Sequence, residues 1–498
     1  MPSNMSTSTV AGVLREQARA RADRPLLVCD DDVISYAEAD GRSARLAGAL
    51  LSLGAGKGTH VGLLYPNGTA FVVATLAAAR IGAVVVPFST FCTARELREQ
   101  LAHGDVRILL AARAFRSHDY TERLAGVLDD IAVPLLRHVF FDWEPGESAD
   151  QARLAAMEDD VDGCDPLAIV YTSGSTDTPK GAVHTHAGLL EHQRNLNGIR
   201  GLSADDKLFC NSPFFWIGGF AFGLLATLVA GSTLVCSNAA DAGDTLDLLE
   251  AEKPTITNGF AAAVAHLTRH PSFPHRDLSS MRRGNLYPIM APDARPADPE
   301  LRHNMLGMTE AGGVVLLSGD ETDQPERRRG SFGRPAPGFE VKIVDGELCL
   351  RGPYLMQRYH RRSREESFDA DGWFHTGDLV RADADGFYYF LGRRGSMIKT
   401  AGANVSPEEV AKAITRVTGG LTAYVVGVPD RERGQAVAAA IVVEDEATVD
   451  EGALRRELKS ELSAYKIPRR IVPIRRSDVP LMSSGKVDMR RLAKVFDG

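Results

Sequence analysis

The segment THVGLLYPNGTAFVVATLAAARIGAVVVPF, residues 59–88, places two short apolar runs on either side of a helix-length stretch. Val61–Leu64 and Ala83–Val86 have the length of buried strands, and the residues between them begin with a turn and continue as an amphipathic helix. Strands joined by a helix are expected to lie parallel in one sheet. The segment therefore predicts a βαβ unit.

The same alternation of helix and strand recurs in TARELREQLAHGDVRILLAA (93–112) and DTLDLLEAEKPTITNGF (244–260). Alternation of this kind predicts an α/β sheet covered by helices. From about residue 335 the pattern changes to alternating strands broken by Asp-Gly turns, which is typical of β-hairpins. Asp383, Asp385 and Gly386 fit such a turn better than a calcium loop, because the other ligands of that loop are missing.

The last hundred residues have the pattern of a compact α+β unit. Helices are predicted at Ser406–Val417 and Glu451–Leu462, and strands at Ala423–Val428 and Val437–Val443. We therefore expect an α/β protein with a large N-terminal α/β domain of several subdomains, residues 1–394, and a smaller α+β C-terminal domain, residues 395–498.

Length and composition restrict the class of protein. A chain of 498 residues is too long for one ordinary core, and a net charge of −8 gives no general attraction for nucleic acid. We expect no membrane span and no secretory signal, because long apolar runs are missing. Scattered cysteines without a CxxC pair suit a reducing cytoplasm. They are Cys29, Cys92, Cys164, Cys210, Cys236 and Cys349.

The run YTSGSTDTPKG (171–181) follows a predicted buried strand and combines glycines, hydroxyl residues and a lysine. Backbone N–H groups, hydroxyls and Lys180 are suited to phosphate oxygens. The order Pro179-Lys180-Gly181 differs from a Walker A loop. Taken alone, the run also fits a polar surface turn.

Four further motifs accompany this run: LGMTEAGG (306–313), GWFHTGDL (372–379), GRRGSMIKTAGANVSPEEV (392–410) and SSGKVDMRRL (483–492). In order and spacing the five motifs resemble those of the acyl-adenylate-forming (AMP-dependent synthetase and ligase) superfamily, acyl-CoA synthetase type. The resemblance covers essentially the whole chain. It implies formation of an acyl-adenylate from a carboxylic acid and Mg·ATP, and then attack by a thiol.

The resemblance also implies residue roles. Thr309 would bind the α-phosphate, Glu310 would hold Mg²⁺, and Asp378 would accept hydrogen bonds from the ribose. Lys486 would bridge the carboxylate and the α-phosphate during adenylation. The remaining nucleotide-binding candidates are Thr172, Ser173, Gly174, Ser175, Thr176, Lys180, Leu306, Gly307, Met308 and Arg393.

In this family the C-terminal domain is mobile and serves both half-reactions. The resemblance places the hinge at Gly395 and a close approach of the backbone to the CoA pantetheine at Gly402. The acyl-binding candidates are Trp216, Gly218, Gly219, Phe260 and Gly313. Trp216 and Phe260 are equally compatible with core positions.

The sequence departs from the family pattern at the positions that handle ATP. Asp177 replaces a glycine of the phosphate loop, Leu306 replaces an aromatic that packs on adenine, and residues 284–304 are altered. An aspartate ~5 Å from a phosphate charge costs about 3 kcal/mol at an effective dielectric of ~20. These departures favour thioester formation from a supplied acyl-adenylate, whereas Lys486 favours retained adenylation.

The leading hypothesis is a cytoplasmic acyl-CoA ligase for an organic acid with a substantial apolar part. It would use Mg²⁺ and ATP, or acyl-AMP supplied in trans, with CoA as co-substrate. A separate adenylating enzyme and a second copy of the chain are possible partners. The alternatives are an adenylation enzyme that loads a separate carrier protein and a non-catalytic nucleotide-binding relative.

Overall fold

The computed structural model describes residues 8–128, 133–146, 150–172, 179–394, 397–444, 449–480 and 487–497. Two large sheets dominate its N-terminal part, and a separate sheet forms the C-terminal part. This arrangement confirms the predicted α/β class with a smaller α+β unit at the C-terminus. The boundary at 394/395 stays a prediction, because Gly395 lies outside the described residues.

The seven-stranded sheet contains the βαβ unit predicted from residues 59–88. Strands His60–Leu64 and Val84–Pro87 are parallel neighbours, with Val61 opposite Val85, which confirms the prediction. In spatial order the strands are Arg358–Tyr359, Lys180–Thr185, Pro166–Thr172, Val84–Pro87, His60–Leu64, Ile108–Ala111 and His138–Phe141.

The helix of that unit, Thr69–Arg80, is buried on almost all sides, so the prediction that it is amphipathic is wrong. Every residue in it except Ala70 is buried. The reason is that helix Tyr36–Ser52 covers the side turned away from the strands. Arg80 is buried at the end of the helix, where Asp40 and Glu158 form ion pairs with it.

The six-stranded sheet is parallel except at one edge. Its strands, in spatial order, are Arg283–Gly284, Ile256–Asn258, Lys207–Cys210, Thr233–Cys236, Pro25–Cys29 and Asp32–Ser35. The longer helices of the N-terminal part are Val10–Ala20, Tyr36–Ser52, Thr69–Arg80, Ala94–His103, Tyr120–Leu128, Gln151–Asp160, His186–Arg200 and Ala242–Glu252. A π-helical segment, Phe220–Leu225, lies between short helices Ile217–Gly219 and Ala226–Ala230.

The predicted hairpins form one small antiparallel sheet, which contains Glu340–Val344, Glu347–Arg351, Phe374–Ala382 and Tyr388–Arg393. A second small antiparallel sheet was not predicted, and it contains Leu306–Met308, Gly313–Leu317 and Arg334–Pro335. Asp383 closes the last hairpin by accepting hydrogen bonds from the backbone N–H groups of Asp385 and Phe387, as a turn and not a calcium loop.

The C-terminal unit contains the predicted helices and the two predicted strands, together with three strands that were not predicted. Helices Pro407–Val417 and Glu451–Glu461 cover a sheet that contains the antiparallel strands Ala423–Asp430 and Gly434–Val443. One of these three strands, Arg470–Arg475, pairs in parallel with Gly434–Val443. Short strands Ile398–Thr400 and Ala403–Val405 complete the sheet. Across the described ranges, no helix has both the length and the apolarity that crossing a bilayer requires.

Candidate active site

A cleft of about 1090 Å³ lies between the N-terminal sheets and the C-terminal unit. Both parts of the chain contribute to its walls. The residues that line the cleft include Thr172, Lys180, Trp216, Gly218, Phe260, Tyr287, Leu306, Gly307, Met308, Thr309, Glu310, Gly313, Glu347, Tyr359, His375, Asp378, Gly402 and Lys466. The cleft therefore brings together most of the described site candidates.

Thr309 and Glu310 occupy a short turn after strand Leu306–Met308. Glu310 is buried, and the Tyr359 hydroxyl donates a hydrogen bond of 2.6 Å to its Oε1. His184 Nε2–H donates to the Thr309 carbonyl oxygen at 2.7 Å, and burial lowers the pKa of His184 to about 4. A neutral histidine and a tyrosine thus fix this turn. A carboxylate oxygen is the donor type that Mg²⁺ prefers, so Glu310 fits a metal ligand.

Lys180 and Thr172 lie opposite each other on two antiparallel strands. Lys180 Nζ is 5.6 Å from the ring centroid of Tyr359, the same tyrosine that contacts Glu310. The phosphate-loop candidates Ser173, Gly174, Ser175 and Thr176, and the departure at Asp177, lie outside the described residues. Tyr359 therefore contacts both the Glu310 carboxylate and the Lys180 ammonium group beside this strand pair.

Asp378 projects from strand Phe374–Ala382, where it pairs with Arg393 of the next strand. Its side chain is buried against the cleft, and its backbone N–H donates to Thr376 Oγ1 at 3.0 Å. The side chain of Arg393 lies outside the described part of the structure. The strand pairing nevertheless holds the two backbones in register at the wall of the cleft.

The region expected to contact adenine is only partly defined by the motifs. Leu306 is buried beside the cleft, and Gly307 and Met308 follow it along the same strand. Residues 284–304 form three single turns and contribute Tyr287 to the cleft wall. Tyr287 was not predicted as a site residue, because nothing in the local sequence pattern distinguishes it from a core aromatic.

The acyl-binding candidates divide into two groups. Trp216, Gly218, Phe260 and Gly313 line the cleft, and Phe260 is 44% exposed, so the alternative of a core position is wrong for Phe260. Gly219 does not line it. A Cβ there would lie 2.2 Å from the Pro213 carbonyl oxygen, so this glycine serves close packing.

Gly402 brings the C-terminal unit against Phe260, one of the acyl-binding candidates. Its φ of +83° favours glycine, and an added Cβ would lie 2.6 Å from the Phe260 ring. The other two predicted residues of this unit, the hinge Gly395 and Lys486, lie outside the described residues. The Gly402 turn and Phe260 therefore share one wall of the cleft.

A buried ion-pair cluster joins the C-terminal unit to helix Ala94–His103. Lys466 Nζ lies 2.7 Å from Glu96 Oε1 and 2.7 Å from Glu409 Oε1, and the Ser463 hydroxyl donates to Glu96 Oε2. Burial alone would raise the pKa of Glu96 and lower that of Lys466. The mutual attraction reverses both effects, so the pKa of Glu96 is lowered and that of Lys466 is raised. Sequence reasoning missed this cluster.

Comparisons with known proteins agree with this geometry. The AMP-binding enzyme family model matches residues 14–360, and the model of the AMP-binding enzyme C-terminal domain matches residues 409–486. A (methyl-dioxo-octahydro-indenyl)propanoyl:CoA ligase of Mycobacterium tuberculosis is 31% identical over 98% of this chain and 99% of its own. The putative acyl-CoA synthetase YngI of Bacillus subtilis is 29% identical over 97% of this chain and 96% of its own.

Solved structures share the fold. A double mutant of o-succinylbenzoate CoA synthetase from Bacillus subtilis has a TM-score of 0.77 at 23% identity, covering 96% of this chain and 97% of that one. Amide bond synthetase McbA from Marinactinospora thermotolerans has a TM-score of 0.82 at 24% identity, covering 98% of this chain and 100% of that one. The chain belongs to the AMP-binding enzyme family. Within that family it is an acid–thiol ligase of the acyl-CoA synthetase type, which confirms the leading hypothesis at the family level.

Proposed function

We propose that the protein joins CoA to an organic acid with a substantial apolar part, through an acyl-adenylate bound in the cleft. The observation that carries this proposal is the meeting of three chemistries in one cleft. Asp378 offers a carboxylate for ribose hydroxyls, Thr309 and Glu310 offer groups for the α-phosphate and Mg²⁺, and Trp216 and Phe260 form apolar walls.

The acyl end of the cleft supports a bulky acid. Phe215 and Phe222 line it together with Trp216 and Phe260, and the glycines at 218 and 313 leave its walls without side chains. Relatives at 29–31% identity are named for feruloyl, indoleacetate and methyl-dioxo-octahydro-indenyl propanoyl substrates. An acid with a ring system is the substrate class that these walls accommodate best.

The observed domain arrangement supports a role in thioester formation. The Gly402 turn contacts Phe260, so the C-terminal unit reaches the acyl end of the cleft. A thiol must approach the acyl carbon there. In this proposal Mg²⁺ on Glu310 would neutralise phosphate charge, Lys486 would act during adenylation, and Gly395 would permit the change of orientation between the two steps.

Asp177 supports a second reading, in which the protein mainly transfers acyl groups from supplied acyl-AMP. The decisive measurement is ATP–pyrophosphate exchange over a panel of ring-containing acids, alongside CoA transfer from the matched synthetic adenylates. Exchange together with transfer supports the complete ligase, and transfer without exchange supports the half-reaction. Transfer to a phosphopantetheinylated carrier protein in preference to CoA, or the absence of both activities, would overturn the proposal.

A further inference from the structure

Glu347, Cys349 and His375 present their side chains from one face of two neighbouring strands. Glu347 and Cys349 are two residues apart on strand Glu347–Arg351, and Cys349 pairs directly with His375 of strand Phe374–Ala382. Glu347 and Cys349 are buried, whereas the His375 side chain is 41% exposed. The trio therefore has a rigid cross-strand support and one side open to the cleft.

The separations of their polar atoms match a metal site. Cys349 Sγ lies 3.5 Å from His375 Nδ1, and that nitrogen lies 3.4 Å from Glu347 Oε2. Tetrahedral zinc, at about 2.3 Å from sulfur and about 2.05 Å from nitrogen or oxygen, holds sulfur and nitrogen about 3.6 Å apart and nitrogen and oxygen about 3.4 Å apart. The ligand atoms of the trio all lie within 4.8 Å of one another, and no other three histidine, cysteine or acidic side chains in the described ranges come together in this way.

We propose that Glu347, Cys349 and His375 bind Zn²⁺, with the fourth position open toward the cleft. The Cys349 thiol releases its proton to solvent as the zinc–sulfur bond forms, and His375 binds through neutral Nδ1. Sulfur, imidazole and carboxylate together form a ligand set that zinc accepts. The site is separate from the Mg²⁺ position assigned to Glu310, and it does not depend on the proposed function.

The surroundings of the trio are those of a metal site. His375 Nε2 lies 3.4 Å from Asp369 Oδ2, so a carboxylate can hold the imidazole with Nδ1 facing the metal. The backbone N–H of Trp373 donates a hydrogen bond of 2.8 Å to Asp369 Oδ1 and so holds the Asp369 side chain in place. Glu347 Oε1 accepts from the backbone N–H of Gly377 at 2.7 Å, which leaves Oε2 directed at His375.

One cation competes with zinc at this site. Arg394 Nη1 lies 3.2 Å from Glu347 Oε2, the oxygen that zinc would take. Zinc binding therefore breaks the Arg394–Glu347 ion pair. Arg394 immediately precedes the predicted hinge at Gly395. Zinc binding would therefore release Arg394 from Glu347 next to that hinge.

The test is a titration of the full-length, reduced, metal-free protein with Co²⁺ and then Zn²⁺, without nucleotide. We expect one thiolate-to-cobalt charge-transfer band per chain in the near ultraviolet, which Zn²⁺ abolishes. Cys349→Ser should remove the band. Cys164→Ser is the matched control, because Cys164 is the exposed cysteine, and this variant should keep the band.

Asp369→Asn should weaken zinc binding by about 10–100-fold in calorimetry while the protein stays folded. His375→Gln, at a partly exposed position, provides a second ligand variant should Cys349→Ser fail to fold, and it should also lose zinc. The proposal is overturned in favour of a hydrogen-bonded trio if the wild-type protein shows no band. It is also overturned if the band survives Cys349→Ser or His375→Gln, or if Cys164→Ser removes it.

Discussion

Lys466 of the C-terminal unit forms a buried ion pair with Glu96 of the N-terminal part, and Lys466 Nζ lies 2.7 Å from Glu96 Oε1. Glu409 provides the second carboxylate at the same distance. Removing one member of a buried ion pair strongly destabilises the arrangement that buries it, because the remaining charge is left without a partner and out of water. This contact therefore favours the orientation in which Gly402 reaches Phe260.

Removing the charge of Glu96 should separate the two half-reactions. Glu96→Gln should slow CoA transfer from a supplied acyl-adenylate by about 10–100-fold, the equivalent of a charged hydrogen bond worth roughly 1.5–3 kcal/mol. Any ATP–pyrophosphate exchange should be unimpaired, because the proposed mechanism assigns adenylation to a different orientation of the C-terminal unit. Glu99→Gln, on the same helix in a surface ion pair with Arg95, is the matched control. Equal slowing of both steps would contradict the expectation.

The same pair should tolerate a wide range of pH. The pKa of Glu96 is lowered, so its contribution is lost only as pH falls below the ordinary glutamate value of about 4.3. The pKa of Lys466 is raised, so its contribution is lost only above the ordinary lysine value of about 10.4. Small-angle X-ray scattering between pH 6 and 9 should show one constant domain arrangement. A change of shape within that interval would indicate a different contact.

Gly402 and Phe260 should show a steric coupling. Gly402→Ala should slow CoA transfer, since its Cβ would fall 2.6 Å from the Phe260 ring and alanine at positive φ adds roughly 1–2 kcal/mol of strain. Phe260→Ala in the same chain should restore part of the rate by removing the clash. Stopped-flow rates for the two single variants and the double variant form a mutant cycle. Strictly additive effects would show that the two residues do not meet during transfer.

Asp378→Ala should weaken binding of acyl-adenylate by roughly 1.5–3 kcal/mol, the range for hydrogen bonds to a charged group. Isothermal titration calorimetry with a non-hydrolysable acyl-adenylate analogue measures this directly. Asp371→Ala, an exposed position in the turn before the same strand, is the control and should bind normally. Unchanged affinity in Asp378→Ala would remove this residue from the nucleotide site.

Buried histidines should make the fold sensitive to acid. Burial lowers the pKa of His184 and His186 to about 4, so the unfolded chain binds more protons than the folded one between about pH 6.5 and 4. Stability is therefore full above pH 6.5 and falls toward pH 4, by on the order of 3 kcal/mol for each ring. Urea unfolding at a series of pH values should show this loss of stability, and His184→Asn should reduce it by about half. His266→Gln, at an exposed ring, should leave it unchanged.

Local pattern was sufficient for much of the fold. The βαβ unit of residues 59–88 and the Asp-Gly hairpins depend on neighbours in sequence, and the structure has both. The strand Arg470–Arg475 was missed because a proline and flanking arginines obscure its alternation. The helix Thr69–Arg80 was judged amphipathic because its burial depends on helix Tyr36–Ser52, which no local pattern reveals.

The site was predictable only as far as its motifs extend. Tyr359 meets Glu310 across 49 residues, and its position on an edge strand gives no periodic signal. Glu96 has a complete local explanation, because with Thr93 it forms the capping box of its helix. Its contact with Lys466, 370 residues away, therefore left no trace in the sequence pattern.

Phe260 has a consequence for how such an enzyme changes its chemistry. Its ring lines the cleft at the proposed acyl site and also packs against the Gly402 turn. A substitution that widens the range of acids at this position also changes the surface that the acceptor thiol passes. Selectivity for the acid and selectivity for the acceptor thiol are therefore linked through one side chain. A change of either by substitution at Phe260 requires a compensating substitution at Gly402 or its neighbours.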